Sequence, residues 1–219
     1  MNYLIYSKKI WYKDNIKLIK KKTILKKRIN FKYINKIKPK IIFFVHWSEM
    51  IPRRLYNNFL CIQFHSSNLP SFRGGSPIQN QIIKGLLKTK ISAFKVEKRL
   101  DSGKICLKRN LSLAGNANDI YRRMEKTSFQ MINSLISKKK INFYEQKGFS
   151  SFFFRRKTEK SNIEMIKKPN FKKLYNFIRM LDADGYPKAF ISFKGFKILL
   201  EQIKINKNLI NEKFKIIKK

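Results

Sequence analysis

The chain has 219 residues, of which 43% are hydrophobic and 14% aromatic, and it carries 51 Lys and Arg against 13 Asp and Glu. Such a composition can bury a core, so it excludes a disordered polycation and favours one α/β domain, alone or with a small appendage. No apolar run approaches the roughly 20 residues that a membrane span needs, and the N-terminus lacks the long apolar region of a signal peptide. We therefore expect a cytoplasmic protein.

The net charge of +38 has two interpretations. Lys and Arg gathered on one face would bind a nucleic-acid backbone. Here the excess is mostly Lys and is spread from the start of the chain to its end. This distribution favours compositional drift, with Lys on every exposed face, over a dedicated nucleic-acid surface. The charge would still raise the local concentration of an anionic substrate.

Strands and helices alternate along the first two thirds of the chain. The apolar patterns predict strands at 2–7, 41–47, 60–67, 90–100 and 104–113, the second of them after a helix end and a Pro break. Between the third and fourth strands, "SPIQNQIIKGLL" predicts a helix with Ser76 as N-cap and Pro77 at its first position.

A long helix follows the fifth predicted strand, over residues 116–140. Asn116 can cap it, Asp119 lies in its first turn, and the apolar residues keep near-helical spacing. The alternation of strands and helices predicts an α/β fold with a doubly wound, mainly parallel sheet.

The character of the sequence changes after "EQKGFSS", and we place a domain boundary near residue 148. Residues 149–219 are predicted to form a small α+β or open-barrel unit, with a helix over 170–181, a turn, and strands at 188–193 and 196–205. The two cysteines, Cys61 and Cys106, lie in apolar contexts without a C-x-x-C partner. We interpret them as reduced core thiols, not as a disulfide or a zinc site.

Few residues in this chain can move protons, because it has two histidines and thirteen acids. His65 follows a predicted strand, where ligands bind in doubly wound sheets, and Asp101 follows another. Gly74 and Gly75, in the loop after His65, would allow a ligand close approach to the backbone. Such a His and Asp would suit proton transfer during acyl transfer. Spacing alone nevertheless favours a structural role for both.

The block "FHSSNLPSFRGGSPIQN", followed by "LDSGKI", resembles the folate-dependent formyltransferase family. This family includes methionyl-tRNA formyltransferases and amino-sugar N-formyltransferases. The combination of H-x-S-x-LP, RG, P-I-Q and a later LD-x-G is far more specific than any one part. The resemblance extends from about residue 38 to about residue 200, and the preceding segment is similar only as a shortened first βα unit.

The same block and three further segments are similar to the amino-sugar branch, and the further segments are "KPKIIFFVHWSEMIP", "RRKTEKSNI" and "IRMLDADGYPKAF". The resemblance implies that His65 is the catalytic histidine and Asp101 its acidic partner. It also implies a third catalytic group, an Asn two positions before the histidine, where this chain has Gln63. Gln keeps the amide and adds a methylene, and a displacement near 1 Å can lower a rate about a hundredfold. We expect catalysis to be retained.

The co-substrate implied by the resemblance is 10-formyltetrahydrofolate, with no metal. The residues assigned to its binding are His46, Ser66, Leu69, Pro70, Arg73, Gly74, Gly75, Pro77 and Ile78. Two alternatives stay open: His46 as a core histidine, and Arg73 as a residue that binds a loop carbonyl.

Three residues are assigned to the acceptor substrate: Arg155, Arg156 and Tyr186. The two arginines could bind the diphosphate of a nucleotide sugar in a bidentate manner, or lie exposed at an edge. Tyr186 could contact the substrate or belong only to the turn.

These assignments predict formyl transfer to the amine of a nucleotide-linked amino deoxysugar, during surface glycan biosynthesis. Two other functions stay open, a methionyl-tRNA formyltransferase and a catalytically weakened folate-binding relative. If the acceptor is an amino sugar, nucleic acid would bind only nonspecifically, whereas the tRNA alternative requires specific binding of tRNA. A homodimer also stays open.

Overall fold

The computed structural model describes residues 2–20, 23–206 and 209–218. The elements as far as residue 136 are, in chain order, β1 (Tyr3–Tyr6), a 3-10 helix (Lys13–Leu18), β2 (Thr23–Lys26), α1 (Phe31–Ile37), β3 (Ile41–Phe44), α2 (Arg53–Asn58), β4 (Cys61–His65), β5 (Arg73–Gly74), α3 (Pro77–Ile83), β6 (Lys88–Lys95), β7 (Ile105–Ser112) and α4 (Ala117–Ile136). The later elements are β8 (Phe152–Phe153), two 3-10 turns (Thr158–Ser161 and Ile163–Met165), α5 (Phe171–Arg179), β9 (Ala189–Phe193), β10 (Phe196–Asn206) and β11 (Leu209–Lys218).

A six-stranded sheet in the order β2-β1-β3-β4-β6-β7 forms the centre of the fold. The pairs from β2 to β4 are parallel, and β6 and β7 are antiparallel to their neighbours. All four residues of β3 are buried, as is typical of a central strand covered on both faces. The predicted α/β fold with a mainly parallel sheet is confirmed.

Local sequence signals explain where the two helices nearest the site begin. Asn116 and Asp119 form a reciprocal capping box at the start of α4. Ser76 occupies the N-cap position of α3 and Pro77 the first helical position, as predicted. The Ser76 side chain makes no capping bond, however, and its hydroxyl instead accepts a hydrogen bond from the Arg156 backbone at 3.1 Å. Ser76 thus connects α3 to the segment after β8.

The C-terminal part packs directly against the sheet domain. Phe177 and Leu200 belong to the same apolar core as Ile5 and Phe43. The buried Arg179 guanidinium donates hydrogen bonds to the carbonyls of Leu113 and Gly115, at 2.6 and 2.8 Å. The predicted small unit of helix and strands is present, and the boundary near residue 148 stays a prediction.

Both cysteines are buried and free, and burial raises the pKa of each thiol to about 12, as expected for core residues.

Among the helices of residues 2–20, 23–206 and 209–218, none has the length and apolarity to cross a membrane.

Candidate active site

A cavity of about 890 Å³ lies at the carboxyl ends of β3 and β4. Its walls come from the residues after β3, the end of β4, the start of α3, the middle of α4, and the segments 152–159 and 184–187. This is the edge of a parallel sheet at which ligands bind. The volume lies within the range of small-molecule sites, which is roughly 300 to 1,000 Å³.

His65 and Asp101 come together in this cavity. His65 ends β4, Asp101 lies in the β6–β7 loop, and both side chains are almost fully buried. The Nδ1 atom of His65 is 3.6 Å from Oδ2 of Asp101, and Nε2 is 2.7 Å from the Phe72 carbonyl oxygen. Because a carbonyl only accepts, Nε2 must carry a hydrogen, which leaves Nδ1 facing the carboxylate.

Hydrogen bonds from the surrounding loops fix the position of Asp101. The Gly74 backbone N–H donates to Oδ2 at 2.8 Å. The Gln146 amide donates to the backbone carbonyls of Asp101 and Gly103, at 2.9 and 2.8 Å. A Cβ atom on Gly103 would lie 1.8 Å from the Lys95 carbonyl oxygen, so only glycine allows this tight loop. The carboxylate is therefore preorganised beside the histidine.

Gln63 points from β4 into the same cavity, two residues before His65. Its Nε2 atom is 3.5 Å from the Trp47 carbonyl oxygen, at the outer limit of a hydrogen bond. The amide is therefore held weakly and can reach another acceptor in the cavity.

The glycine pair, Gly74 and Gly75, packs against a neighbouring segment of the chain. Two-residue strands pair Arg73 with Phe152 and Gly74 with Phe153. A Cβ atom on Gly74 would lie 2.3 Å from the Phe153 carbonyl oxygen, and one on Gly75 would lie 2.4 Å from the Arg155 backbone nitrogen. The glycines thus allow segment 152–155 to approach the loop closely, and both glycines also line the cavity.

Most of the other predicted site residues also line the cavity, namely Ser66, Gly74, Gly75, Pro77, His46, Arg155, Arg156 and Tyr186. Four predicted cofactor residues do not. Leu69 and Ile78 are fully buried in the core, and Pro70 is buried next to Leu69. The Arg73 guanidinium donates to Oε1 of Gln146 at 2.6 Å and to the Ser150 hydroxyl at 3.2 Å, which supports its loop-binding alternative.

An aromatic cluster that the sequence did not predict forms another wall of the cavity. Trp11 stacks on Tyr121 with ring centroids 4.4 Å apart, and Tyr121 stacks on Tyr186 at 5.3 Å. The Lys9 ammonium lies over the Trp11 ring at 3.8 Å from its centroid. The Tyr121 and Tyr186 hydroxyls are hydrogen-bonded at 2.8 Å, and burial raises the pKa of the Tyr121 phenol.

A buried carboxylate places Trp11 in this cluster. Glu125, on α4, is fully buried and accepts hydrogen bonds from the backbone N–H groups of Trp11 and Tyr12, at 2.8 and 3.1 Å. The Asn15 side chain donates to the same carboxylate at 2.9 Å. The segment after β1 is thereby held against the cavity, although it lies far from Glu125 in sequence.

His46 stays uncharged in this environment. Burial, with a smaller contribution from Lys9, lowers its pKa from 6.5 to about 3. Within the part of the chain that the structure describes, its Nε2 atom has no hydrogen-bond partner, and neither have the buried indole nitrogens of Trp11 and Trp47. All three residues line the cavity and can offer polar groups to a ligand.

Two protein-family models match parts of this chain. Residues 10–137 match the family model described as formyl transferase, and residues 158–217 match the C-terminal domain of methionyl-tRNA formyltransferase. A methionyl-tRNA formyltransferase from Sulfurihydrogenibium sp. (strain YO3AOP1) is 23% identical over 199 residues, which cover 88% of this chain. The chain spans 63% of that relative's length.

Two solved structures are similar over most of the chain. The methionyl-tRNA formyltransferase from Clostridium thermocellum is 37% identical, with a TM-score of 0.93 and full coverage of both chains. A 4-N formyltransferase from Francisella tularensis shares the fold at 15% identity and a TM-score of 0.65, covering 88% of this chain and 93% of the other. The family-model match over residues 10–137 spans more than half of the 219 residues, and the chain therefore belongs to the formyl transferase family.

Proposed function

We propose that this protein is an enzyme that transfers a formyl group from 10-formyltetrahydrofolate to a primary amine. The observation that carries the proposal is the convergence of His65, Asp101 and Gln63 in one cavity, with 3.6 Å between the imidazole and the carboxylate. Membership of the formyl transferase family supports the same reaction.

The residues around the cavity fit a folate. The volume of about 890 Å³ suits a drug-sized ligand, and Trp11, Trp47 and Phe153 contribute aromatic surface to the walls. His46, Trp11 and Trp47 have buried nitrogens without partners in the described residues, and these nitrogens can bind polar groups of the pterin. When bound, 10-formyltetrahydrofolate supplies the formyl group that the acceptor amine attacks.

The three polar side chains divide the work of the reaction. The Gln63 amide can donate to the formyl oxygen as negative charge develops there, and such a donor is typically worth about 3 kcal/mol. His65 keeps Nε2 bound to the Phe72 carbonyl. Its Nδ1 atom, which faces Asp101, is therefore the nitrogen that can exchange a proton with the carboxylate or the substrate. Asp101, fixed by the Gly74 N–H, accepts the proton that the amine loses as it bonds to the formyl carbon. The bond from the formyl carbon to N10 then breaks, and this proton is delivered to N10 of the departing tetrahydrofolate. No step needs a metal.

The acceptor amine that we infer is that of methionyl-tRNA, which is the alternative from the sequence analysis. The support comes from the similar structures. The methionyl-tRNA formyltransferase from Clostridium thermocellum is 37% identical with full coverage of both chains, whereas the 4-N formyltransferase is only 15% identical. The charge of +38 also suits a polyanionic substrate.

The two arginines assigned to a sugar-nucleotide diphosphate, Arg155 and Arg156, lie in different environments. Arg156 donates to the Lys160 carbonyl at 2.6 Å, and its guanidinium lies over the Phe177 ring at 5.7 Å. Arg155 is exposed at the cavity wall. The Arg156 guanidinium is thus partly occupied by contacts within the protein, which weakens the case for an amino-sugar nucleotide.

A panel of acceptors tests this proposal. The panel would contain methionyl-tRNA, the same tRNA charged with another amino acid, and nucleotide-linked amino sugars, all at near-physiological salt to screen nonspecific attraction. We expect the highest kcat/KM for methionyl-tRNA. Efficient formylation of an amino-sugar nucleotide, with none of methionyl-tRNA, would restore the original prediction.

A further inference from the structure

Two exposed phenylalanines stand at the wall of the cavity. Phe154 is 86% exposed and Phe152 is 51% exposed, and both line the cavity. Their rings meet edge to face, with centroids 5.4 Å apart and an interplanar angle of 84°. Large apolar side chains are usually buried, because their removal from water is favourable. Several of them exposed side by side therefore mark a binding surface.

The backbone under these rings is fixed. Phe152 pairs with Arg73, and the Arg73 backbone N–H donates to the Ser151 carbonyl at 2.8 Å. The Gly75 N–H donates to the Phe153 carbonyl at 2.7 Å. The two rings therefore project from the paired strands β5 and β8, and not from a free linker. Gly74 in β5 also donates the hydrogen bond that fixes Asp101.

The charges beside the rings are positive. Arg155 and Lys157 follow Phe154, are exposed and line the cavity. Lys98 and Arg99, in the β6–β7 loop, are exposed next to Leu100 at the cavity wall. Aromatic faces interleaved with Lys and Arg are the pattern that binds unpaired nucleotides, because bases stack on the rings and phosphates pair with the cations.

We propose that Phe152 and Phe154 form a stacking platform for the unpaired 3′-terminal nucleotides of the charged tRNA. This proposal rests on the proposed function and deepens it. Bases stacked on the platform, with Arg155 and Lys157 on the phosphates, would direct the aminoacyl group into the cavity toward Gln63 and Asp101. The platform accepts any base sequence, since every base has a π face.

The test compares Phe154→Ala with two matched variants. Phe154→Trp keeps an aromatic face, and Phe149→Ala removes a phenylalanine that is 83% exposed, five residues earlier in the chain, and does not line the cavity. Each protein is assayed with methionyl-tRNA and with a methionyl ester of the 3′-terminal trinucleotide alone. Binding of the uncharged trinucleotide is measured separately.

We expect Phe154→Ala to raise KM about tenfold for both acceptors, with kcat little changed, because stacking contributes to binding and not to chemistry. Phe154→Trp and Phe149→Ala should stay near the parent. The parent should bind the trinucleotide more tightly than Phe154→Ala, and this difference does not depend on catalysis.

A KM effect confined to the full tRNA, or equal trinucleotide binding by the parent and Phe154→Ala, would overturn the platform. Failure of the parent to formylate methionyl-tRNA would instead reject the proposed function, and the binding comparison would still decide on the platform.

Discussion

His65 Nδ1 faces Asp101 Oδ2 at 3.6 Å, although 35 residues of intervening sequence, containing α3 and β6, separate the two. β6 runs antiparallel to β4, and its last residue, Lys95, pairs with Ile62 near the start of β4, so the β6–β7 loop turns back toward the end of β4 to bring Asp101 to His65. The hydrogen bond from Gly74 to the same carboxylate oxygen then holds the loop in place. The distance between the two atoms exceeds that of a hydrogen bond.

Replacing Asp101 with Asn should lower kcat/KM by roughly 10² to 10⁴. The Asn side-chain oxygen can still accept from the Gly74 N–H, so the loop should keep its position while the charge and the proton acceptor are lost. Steady-state formyl transfer measures the effect, and circular dichroism with thermal unfolding checks the fold. Parent activity in a folded variant would remove Asp101 from the mechanism.

Gln63 is the position at which the chain departs from the expected Asn. Because its amide is held only by a 3.5 Å contact to the Trp47 carbonyl, Gln63→Asn should preserve or raise kcat. Gln63→Ala should lower kcat about a hundredfold or more by removing a donor to the developing charge. Equal kcat for all three proteins would show that this amide does not serve the reaction.

The close approach at Gly74 gives a test with a matched control. Gly74 and Gly85 have positive φ angles of 87° and 80°, but a Cβ atom meets Phe153 only at Gly74, and meets nothing at Gly85. Each Ala variant should lose about 1 kcal/mol from backbone strain. Gly74→Ala should lose clearly more, and also activity, because segment 152–155 must move. Urea unfolding measures the stability of the two variants, and the formyl-transfer assay measures their activity. Equal losses of stability in Gly74→Ala and Gly85→Ala would contradict the packing role of Gly74.

His46 predicts a pH dependence of stability. Its pKa of about 3 in the folded protein lies below the 6.5 of the unfolded chain, so between these values only the unfolded state takes up the proton. The stabilisation from neutral His46 is therefore complete above pH 6.5 and declines as the pH falls toward 3, by at most about 1.4 kcal/mol per pH unit.

The variant His46→Asn isolates this contribution, since Asn tolerates the left-handed backbone that His46 adopts at φ 50°. The free energy of unfolding should fall more steeply from pH 7 to pH 5 in the parent than in the variant. Parallel curves would mean that His46 is accessible to protons in the folded state.

Local signals predicted the framework of the site well. The Asn116–Asp119 capping box, Pro77 at the start of α3, and the strand ending at His65 all depend on residues close in sequence. In contrast, β2 was missed because Thr23–Lys26 lies in a Lys-rich stretch at the sheet edge, where apolar patterning is weak. The final strand, Leu209–Lys218, was missed for a similar reason.

The parts of the site that sequence did not predict depend on long-range contacts. Nothing near Trp11 indicates that it stacks on Tyr121, because Glu125 on α4 brings that segment to the cavity. The glycine pair indicates that some group comes close to the backbone, and only the fold shows that segment 152–155 does so. Likewise, nothing near Arg73 in the sequence indicates that its guanidinium binds Gln146, which is 73 residues away along the chain.

The most direct test of the account is a single-turnover measurement of labelled formyl transfer from 10-formyltetrahydrofolate to methionyl-tRNA, with His65→Ala as the control. The account predicts that the parent moves label onto the methionyl amine and that folded His65→Ala does so at least a hundredfold more slowly. Label that stays on the folate in the presence of the parent, or that moves equally fast with His65→Ala, would contradict it.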